Sequence, residues 1–195
     1  MSADDLAHAL ALRLPDHAVD RSGIGSPDRP SCRAVRRQIT AFLPEFVGAE
    51  IDEIRSRWDP EMAALISAHV TVVHDAPDRS PLDRVRGCSS LRIRLTGARC
   101  WGTPDGGVYL GVDDGRGDLA SVRETLRAME APGVEYEPHV TLLHPRTVSA
   151  LRLREAWAEL AHWTVDCDVV LDRISLVELV DAHWSVIDEV VLEPR

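Results

Sequence analysis

Lysine and asparagine are both missing from this sequence of 195 residues, so all 22 basic residues are arginines. The lack of lysine excludes a Schiff-base lysine, a lysine general base and the phosphate-binding loop that depends on a lysine. The lack of asparagine excludes a Cys-His-Asn catalytic triad. Chemistry in this chain must therefore come from other side chains.

Positive charge is also scarce, because 22 basic residues face 32 acidic residues and the net charge is −10. This balance argues against a protein that coats long nucleic acids by neutralising many phosphates. A few local arginines still suffice for a small anionic substrate. The apolar content of 45% is typical of a folded chain. The length fits one domain, or two small similar lobes that share a core.

Long apolar runs are absent as well, so we expect no membrane span and no membrane partner. The apolar segment Leu6–Leu14 is short and follows Asp4 and Asp5, which is unlike a secretory signal. The four cysteines form no Cys-x-x-Cys pair. Scattered cysteines of this kind are typical of reduced thiols, and we expect a cytoplasmic protein.

The chain divides into residues 1–34, punctuated by proline and glycine, and residues 35–195, which are regular. The first part predicts a short helix and a linker, either a tail or an arm that packs on the main body. Helical spacing and strand alternation fill the second part. Helices are predicted over Glu45–Arg57, Leu119–Met129 with Asp118 as N-cap, and Val148–Trp163. Strands are predicted over Arg37–Leu43, Ala68–His74, Leu91–Cys100, Val108–Val112, His139–Leu143, Thr164–Val170, Arg173–Val180 and Ser185–Leu192.

A short internal repeat stands out, since His-Val-Thr-apolar-apolar-His occurs at residues 69–74 and again at 139–144. Alternate residues of a strand share a face. His69 therefore points with Thr71, and His139 points with Thr141, while the valines and leucines between them face the core. Two similar halves packed about an approximate two-fold axis would bring both His-x-Thr strands to one cleft.

Such a cleft suits chemistry at phosphorus. Imidazole titrates near neutral pH, so one ring can remove a proton while the other delivers one. Threonine hydroxyls can donate hydrogen bonds to the non-bridging phosphate oxygens. Two histidines on opposite sides thus supply the base and the acid of an in-line displacement without a metal. Because the two motifs are nearly identical, which histidine is acid and which is base stays open.

At these residues the chain resembles the 2H phosphoesterase superfamily, and more narrowly its bacterial 2'-5' RNA ligase or RNA 2',3'-cyclic phosphodiesterase branch. The resemblance covers about residues 35–192 and is carried by the paired His-x-Thr motifs. The stretches that support it are Arg57–Pro60 with Ala68–Thr71, Trp101–Pro104 with Gly107–Val112, and Pro138–Pro145.

The resemblance implies an α+β fold: a bilobal duplicated chain with two antiparallel sheets around a central cleft and helices on the outer faces. It implies metal-independent hydrolysis of a 2',3'-cyclic phosphate to a 2'-phosphate, with reversible 2'-5' ligation, and no cofactor. By this analogy His69 and His139 are the acid–base pair, and Thr71 and Thr141 hold the phosphate. The implied substrate is an RNA 2',3'-cyclic phosphate end or a small cyclic nucleotide. We expect a monomer.

Other residues near the motifs are candidates for substrate contact: Trp101, Tyr109, Arg146, His74 and His144. His74 and His144 stand an odd number of positions from the motif histidines, so a regular strand points them away from the cleft. They are interpreted first as strand-end histidines, with a place at the cleft border or a four-histidine metal site as alternatives.

Arginine is the natural phosphate partner, and four arginines lie close in sequence to the motif strands: Arg92, Arg94, Arg99 and Arg146. Arg92 and Arg94 alternate with apolar residues, which favours the solvent face of a strand. Trp101 and Tyr109 are interpreted as packing residues or, alternatively, as a platform for a nucleobase.

Two further functions stay open from the sequence. One is a module that binds a nucleotide or an RNA end without turnover. The other is a 2H enzyme of specialised metabolism or defence that acts on an unusual cyclic phosphate.

Overall fold

The computed structural model describes residues 35–77, 79–127, 136–181 and 183–195, so the predicted arm over residues 1–34 lies outside the described residues. The described part contains four α-helices: α1 (Glu45–Trp58), α2 (Pro60–Leu65), α3 (Asp118–Leu126) and α4 (Ala150–Leu160). Two short 3-10 turns occupy Leu82–Val85 and Pro104–Gly106. None of these described helices is long and apolar enough to cross a membrane.

Eight strands form two four-stranded antiparallel sheets. The first sheet contains β1 (Arg37–Phe42), β2 (His69–Val73), β7 (Arg173–Val180) and β8 (His183–Val191), in the order β2-β1-β7-β8. The second sheet contains β3 (Leu91–Cys100), β4 (Val108–Asp113), β5 (His139–Leu143) and β6 (Cys167–Leu171), in the order β5-β4-β3-β6. The predicted bilobal α+β arrangement of two antiparallel sheets is confirmed.

The two sheets repeat one plan, because each has a His-x-Thr strand at its end. β2 pairs with β1, and β5 pairs with β4, both antiparallel. In each lobe a helical segment connects these two strands. The duplication seen in the sequence therefore extends to the strand order of both lobes.

One large apolar core spans both lobes. Val70 and Val72 of β2, like Val140 and Leu142 of β5, have no exposed surface and belong to the same cluster of packed side chains. Burying a side chain of this size stabilises a fold by about 1.5–3 kcal/mol. The alternation predicted from the sequence thus places the apolar residues in the core and leaves the histidines and threonines half-buried.

The helices differ from the prediction at two points. Helix α2 was not predicted, because it has six residues and starts at a proline, too short for helical spacing to appear. Asp118 is the first residue of α3 and not its N-cap, since Gly117 occupies that position with a φ of 69°. The carboxylate of Asp114 accepts the N–H groups of Leu119 and Ala120 instead, and it therefore provides the cap.

Candidate active site

The two motif histidines are held in the same way. The ring Nδ1 of His69 lies 2.7 Å from the carbonyl oxygen of Ser67, and the ring Nδ1 of His139 lies 2.7 Å from that of Glu137. A carbonyl only accepts hydrogen bonds, so each Nδ1 carries the proton. In the neutral rings, Nε2 is consequently the nitrogen with a lone pair available for proton transfer.

The rings lie where the lobes meet, because β2 and β5 contact each other at the ends of their sheets. The pKa of His69 is lowered from 6.5 to about 4, mainly by burial; the hydrogen bond to Ser67 opposes this shift, and the nearby positive charges of Arg55, His139 and His74 add to it. The contact between β2 and β5 makes the two His-x-Thr strands neighbours across the lobes.

The surroundings of the two imidazoles differ in charge. Burial also lowers the pKa of His139, but the backbone hydrogen bond and the carboxylate of Glu137 act in the opposite direction. His69 has the cationic Arg55 nearby, whereas His139 has the anionic Glu137. At neutral pH, burial favours the neutral form of both rings, with the lone pair on Nε2.

Two aromatic residues named in the sequence analysis surround His139. Trp101 and Tyr109 stack with ring centroids 4.4 Å apart. The ring of His139 meets both edge-on, at 4.9 Å from Trp101 and 5.4 Å from Tyr109. The hydroxyl of Tyr109 donates to the Glu137 carboxylate at 3.2 Å, while the ring itself is buried. Both aromatic residues therefore pack and also touch the candidate catalytic ring.

Arg99 shares a sheet face with the second motif. It pairs with Tyr109, which pairs with Thr141, and directly opposed residues of neighbouring strands point to the same side. Gly111 lies opposite His139, and a Cβ there would stand 2.9 Å from Nε of Arg99. The guanidinium therefore passes over Gly111, beside His139. The sequence indicated only that Arg99 lies near the strands.

The first lobe contributes residues that sequence reasoning missed. The side-chain amide nitrogen of Gln38 lies 3.4 Å from Nε2 of His69 and can donate to it. The ring of Phe42 meets His69 edge-on at 6.1 Å. Phe42 pairs with His69 across β1 and β2. The signal that could have identified Phe42 is its position opposite His69. This position follows from the pairing of β1 with β2, which the local alternation of residues does not reveal.

His74 and His144 follow the last residues of β2 and β5, so the alternation of the strands does not extend to them. His74 is exposed and His144 is half-buried. Nδ1 of His144 accepts the N–H of Arg146 at 3.1 Å. Burial and the charge of Arg146 lower the pKa of His144. Arg146 itself is exposed.

The structure also bears on the remaining arginines and on the metal alternative. Arg92 is exposed, and Arg94 forms an exposed ion pair with Asp166 at 2.5 Å. The solvent-face interpretation of these two residues is confirmed. Within the described ranges, no group of three or more His, Cys, Asp or Glu side chains is arranged to hold a metal ion.

Comparison with known proteins assigns the family. A model of the 2'-5' RNA ligase superfamily matches residues 43–182. The chain belongs to this superfamily. Superfamily members are phosphoesterases and ligases, so the assignment supports an enzyme. No curated protein matches the sequence at a significant level.

Solved structures share the fold at low sequence identity. TT0787 of Thermus thermophilus has a TM-score of 0.56 and 18% identity, and the match covers 82% of this chain and 99% of that one. E. coli LigT complexed with 3'-AMP has a TM-score of 0.57 and 16% identity, covering 81% of this chain and 98% of LigT. LigT complexed with ATP gives 0.57 and 17%, covering 82% and 98%. At this identity the likeness concerns the fold.

Proposed function

We propose that this protein is a metal-independent phosphodiesterase that opens a 2',3'-cyclic phosphate to a 2'-phosphate. The observation that carries the proposal is the matched pair of imidazoles. In His69 and in His139, Nδ1–H donates to the backbone carbonyl two residues earlier. The lone pair of each neutral ring is therefore on Nε2, at the junction of the lobes.

The reaction needs two proton transfers. Nε2 of one neutral imidazole takes a proton from water as its oxygen attacks phosphorus, and the bond between phosphorus and O3' breaks. The other imidazole gives a proton from Nε2 to O3'; it takes up this proton when the anionic phosphate binds, because a nearby negative charge raises the pKa of a histidine. The 2'-phosphate remains on the ribose. With a 5'-hydroxyl in place of water, the same two transfers form a 2'-5' linkage, which accounts for reversible ligation.

The phosphate would be held by the hydroxyls of Thr71 and Thr141, which share faces with the two histidines. We add Arg99 as an anion contact, because its guanidinium stands on the face of Thr141 beside His139. Hydrogen bonds from a charged donor are worth about 1.5–3 kcal/mol. Three such donors would suit the two charged oxygens that develop on the attacked phosphorus.

The base of the substrate would lie against Trp101, the half-buried member of the aromatic pair next to His139. A nucleotide substrate agrees with the structural likeness to LigT, which has been seen with 3'-AMP and with ATP. His74, His144 and Arg146 follow the two motifs and are proposed to border the bound substrate. The preferred substrate class is an RNA cyclic phosphate end or a small cyclic nucleotide.

The test is turnover of 2',3'-cyclic nucleotides with EDTA present, followed by phosphorus NMR, which distinguishes 2'- from 3'-phosphate products. His69→Ala and His139→Ala should each lower kcat at least about a thousandfold while the circular dichroism spectrum is kept. His162→Ala removes an exposed histidine after α4 and serves as the matched control.

Each outcome separates the candidate functions. Full activity in either motif variant would refute the acid–base pair. Binding of cyclic nucleotides by the wild-type protein without any product favours a binding module. Turnover of another cyclic phosphate, but not of 2',3'-cyclic nucleotides, points to an enzyme with an unusual substrate.

A further inference from the structure

A buried carboxylate of the first lobe holds the second motif strand. Asp59 follows α1 and has no exposed surface. Its Oδ2 accepts the backbone N–H of His144 at 2.9 Å and the hydroxyl of Thr147 at 2.7 Å, both just after β5. Its Oδ1 accepts the N–H of Met62 at 3.0 Å and so caps α2. One side chain thus serves its own lobe and the opposite one.

Polar groups of the second lobe hold the first motif strand in return. Arg123 of α3 is 3% exposed, and its Nη1 donates to the carbonyl oxygen of Val72 at 2.6 Å. The hydroxyl of Tyr136 donates to the carbonyl oxygen of Thr71 at 3.0 Å. The guanidinium lies over the Tyr136 ring, 4.2 Å from its centroid. Thr71 and Val72 belong to the His-x-Thr strand β2.

These contacts are reciprocal and directional, whereas the shared core is not. Apolar burial holds the lobes together but does not fix their spacing, because the hydrophobic effect has no direction. A hydrogen bond, in contrast, demands a distance and an angle. A buried charge that loses its partner also costs about 3–5 kcal/mol, so these contacts resist stretching. Each of them ends on backbone or on residues next to a motif strand.

We propose that Asp59 in one direction, and Arg123 with Tyr136 in the other, are positioning residues that set the separation of His69 and His139 across the lobes. This role rests on the proposed function, since it concerns the spacing of the acid and the base. Catalytic groups displaced by about 1 Å can lose about a hundredfold in rate. Substitutions of these positioning residues are therefore expected to change kcat more than substrate binding.

Asp59→Asn separates the two tasks of this carboxylate. The amide oxygen still accepts the N–H of Met62, and asparagine is a good N-cap, so α2 keeps its start. The amide NH2 then faces the N–H of His144, which places two donors against each other. We expect kcat to fall by about 10- to 100-fold and KM to change by less than about threefold.

Smaller variants keep the test decisive where Asp59→Asn does not fold. Thr147→Val removes the hydroxyl that donates to Asp59 and should lower kcat. Thr147→Ser restores a hydroxyl and should restore kcat. Tyr136→Phe removes the single oxygen that bonds to Thr71. The matched control is Ser149→Ala, which deletes the N-cap of α4 within one lobe. We expect this control to lower stability by about 1 kcal/mol and to leave kcat unchanged.

A second readout does not depend on activity. In the wild-type background, His139→Gln should raise the pKa of His69 in an NMR titration, because the positive charge of His139 lowers it. In the Asp59→Asn background this coupling should shrink if the rings have moved apart. A wild-type protein that turns over no cyclic phosphate would defeat the proposed function, but the effect of His139 on the pKa of His69 would still test the positioning residues. The inference would be overturned if Asp59→Asn left this effect unchanged, or if variants of the positioning residues lost stability with kcat intact.

Discussion

The low pKa of His69 predicts an acid sensitivity that one substitution should remove. In the folded protein burial holds this pKa at about 4, whereas an unfolded histidine titrates at 6.5. The unfolded state therefore binds the proton first as the pH falls. The stability that depends on a neutral His69 is fully present above pH 6.5, declines as the pH falls through 6.5, and is completely lost below about pH 4.

The size of this effect follows from the difference between the two pKa values. At about 1.4 kcal/mol per pH unit, the full loss is roughly 3 kcal/mol, of which about 2 kcal/mol appears by pH 5. His69→Gln removes the titrating group but retains a side chain that can hydrogen-bond. Between pH 7.5 and pH 5, the wild-type protein should lose about 2 kcal/mol more unfolding free energy than this variant.

Urea denaturation at a series of pH values measures the difference. The control is His162→Gln, which changes an exposed histidine after α4 that is not among the groups acting on His69, and its curve is compared with that of the wild type. Parallel curves for the wild-type protein and His69→Gln between pH 7.5 and pH 5 would refute the reasoning, because burial would then not be shifting the titration of this ring.

Three further predictions concern the site. Glu137→Gln should lower the pKa of His139, because the Glu137 carboxylate raises it. The limb of the pH profile of kcat/KM that belongs to His139 should then move to lower pH, and an unmoved profile would contradict the electrostatic role of Glu137. Thr141→Val should reduce kcat/KM for a cyclic nucleotide by about 10- to 100-fold with the fold intact, since a hydrogen bond to a charged phosphate is lost, and near wild-type kinetics would remove Thr141 from the site. Trp101→Ala should raise KM for a cyclic nucleotide by about 5- to 100-fold and leave a cyclic phosphate without a base unaffected; equal losses on both substrates would mean that Trp101 only supports His139.

Local sequence patterns were sufficient to predict the elements on which the site is built. The alternation around His69 and His139 identified both motif strands, since a strand with one buried face must repeat every two residues. The same rule placed Thr71 and Thr141 on the faces of the histidines and the valines in the core. The duplication of the pattern then pointed to two lobes, and the resemblance supplied the architecture that the sheets confirm.

Only the tertiary structure decided which residues surround these motifs. Gln38 and Asp59 carry no pattern of their own, and their roles arise from contacts across strands or across lobes. Arg99 is separated from Thr141 in sequence, and a shared face becomes visible only once the register of three strands is known. Arg123 reads locally as an ordinary helix arginine, yet it is buried against the opposite lobe. Local periodicity encodes which face is buried, whereas long-range register is a property of the folded chain as a whole.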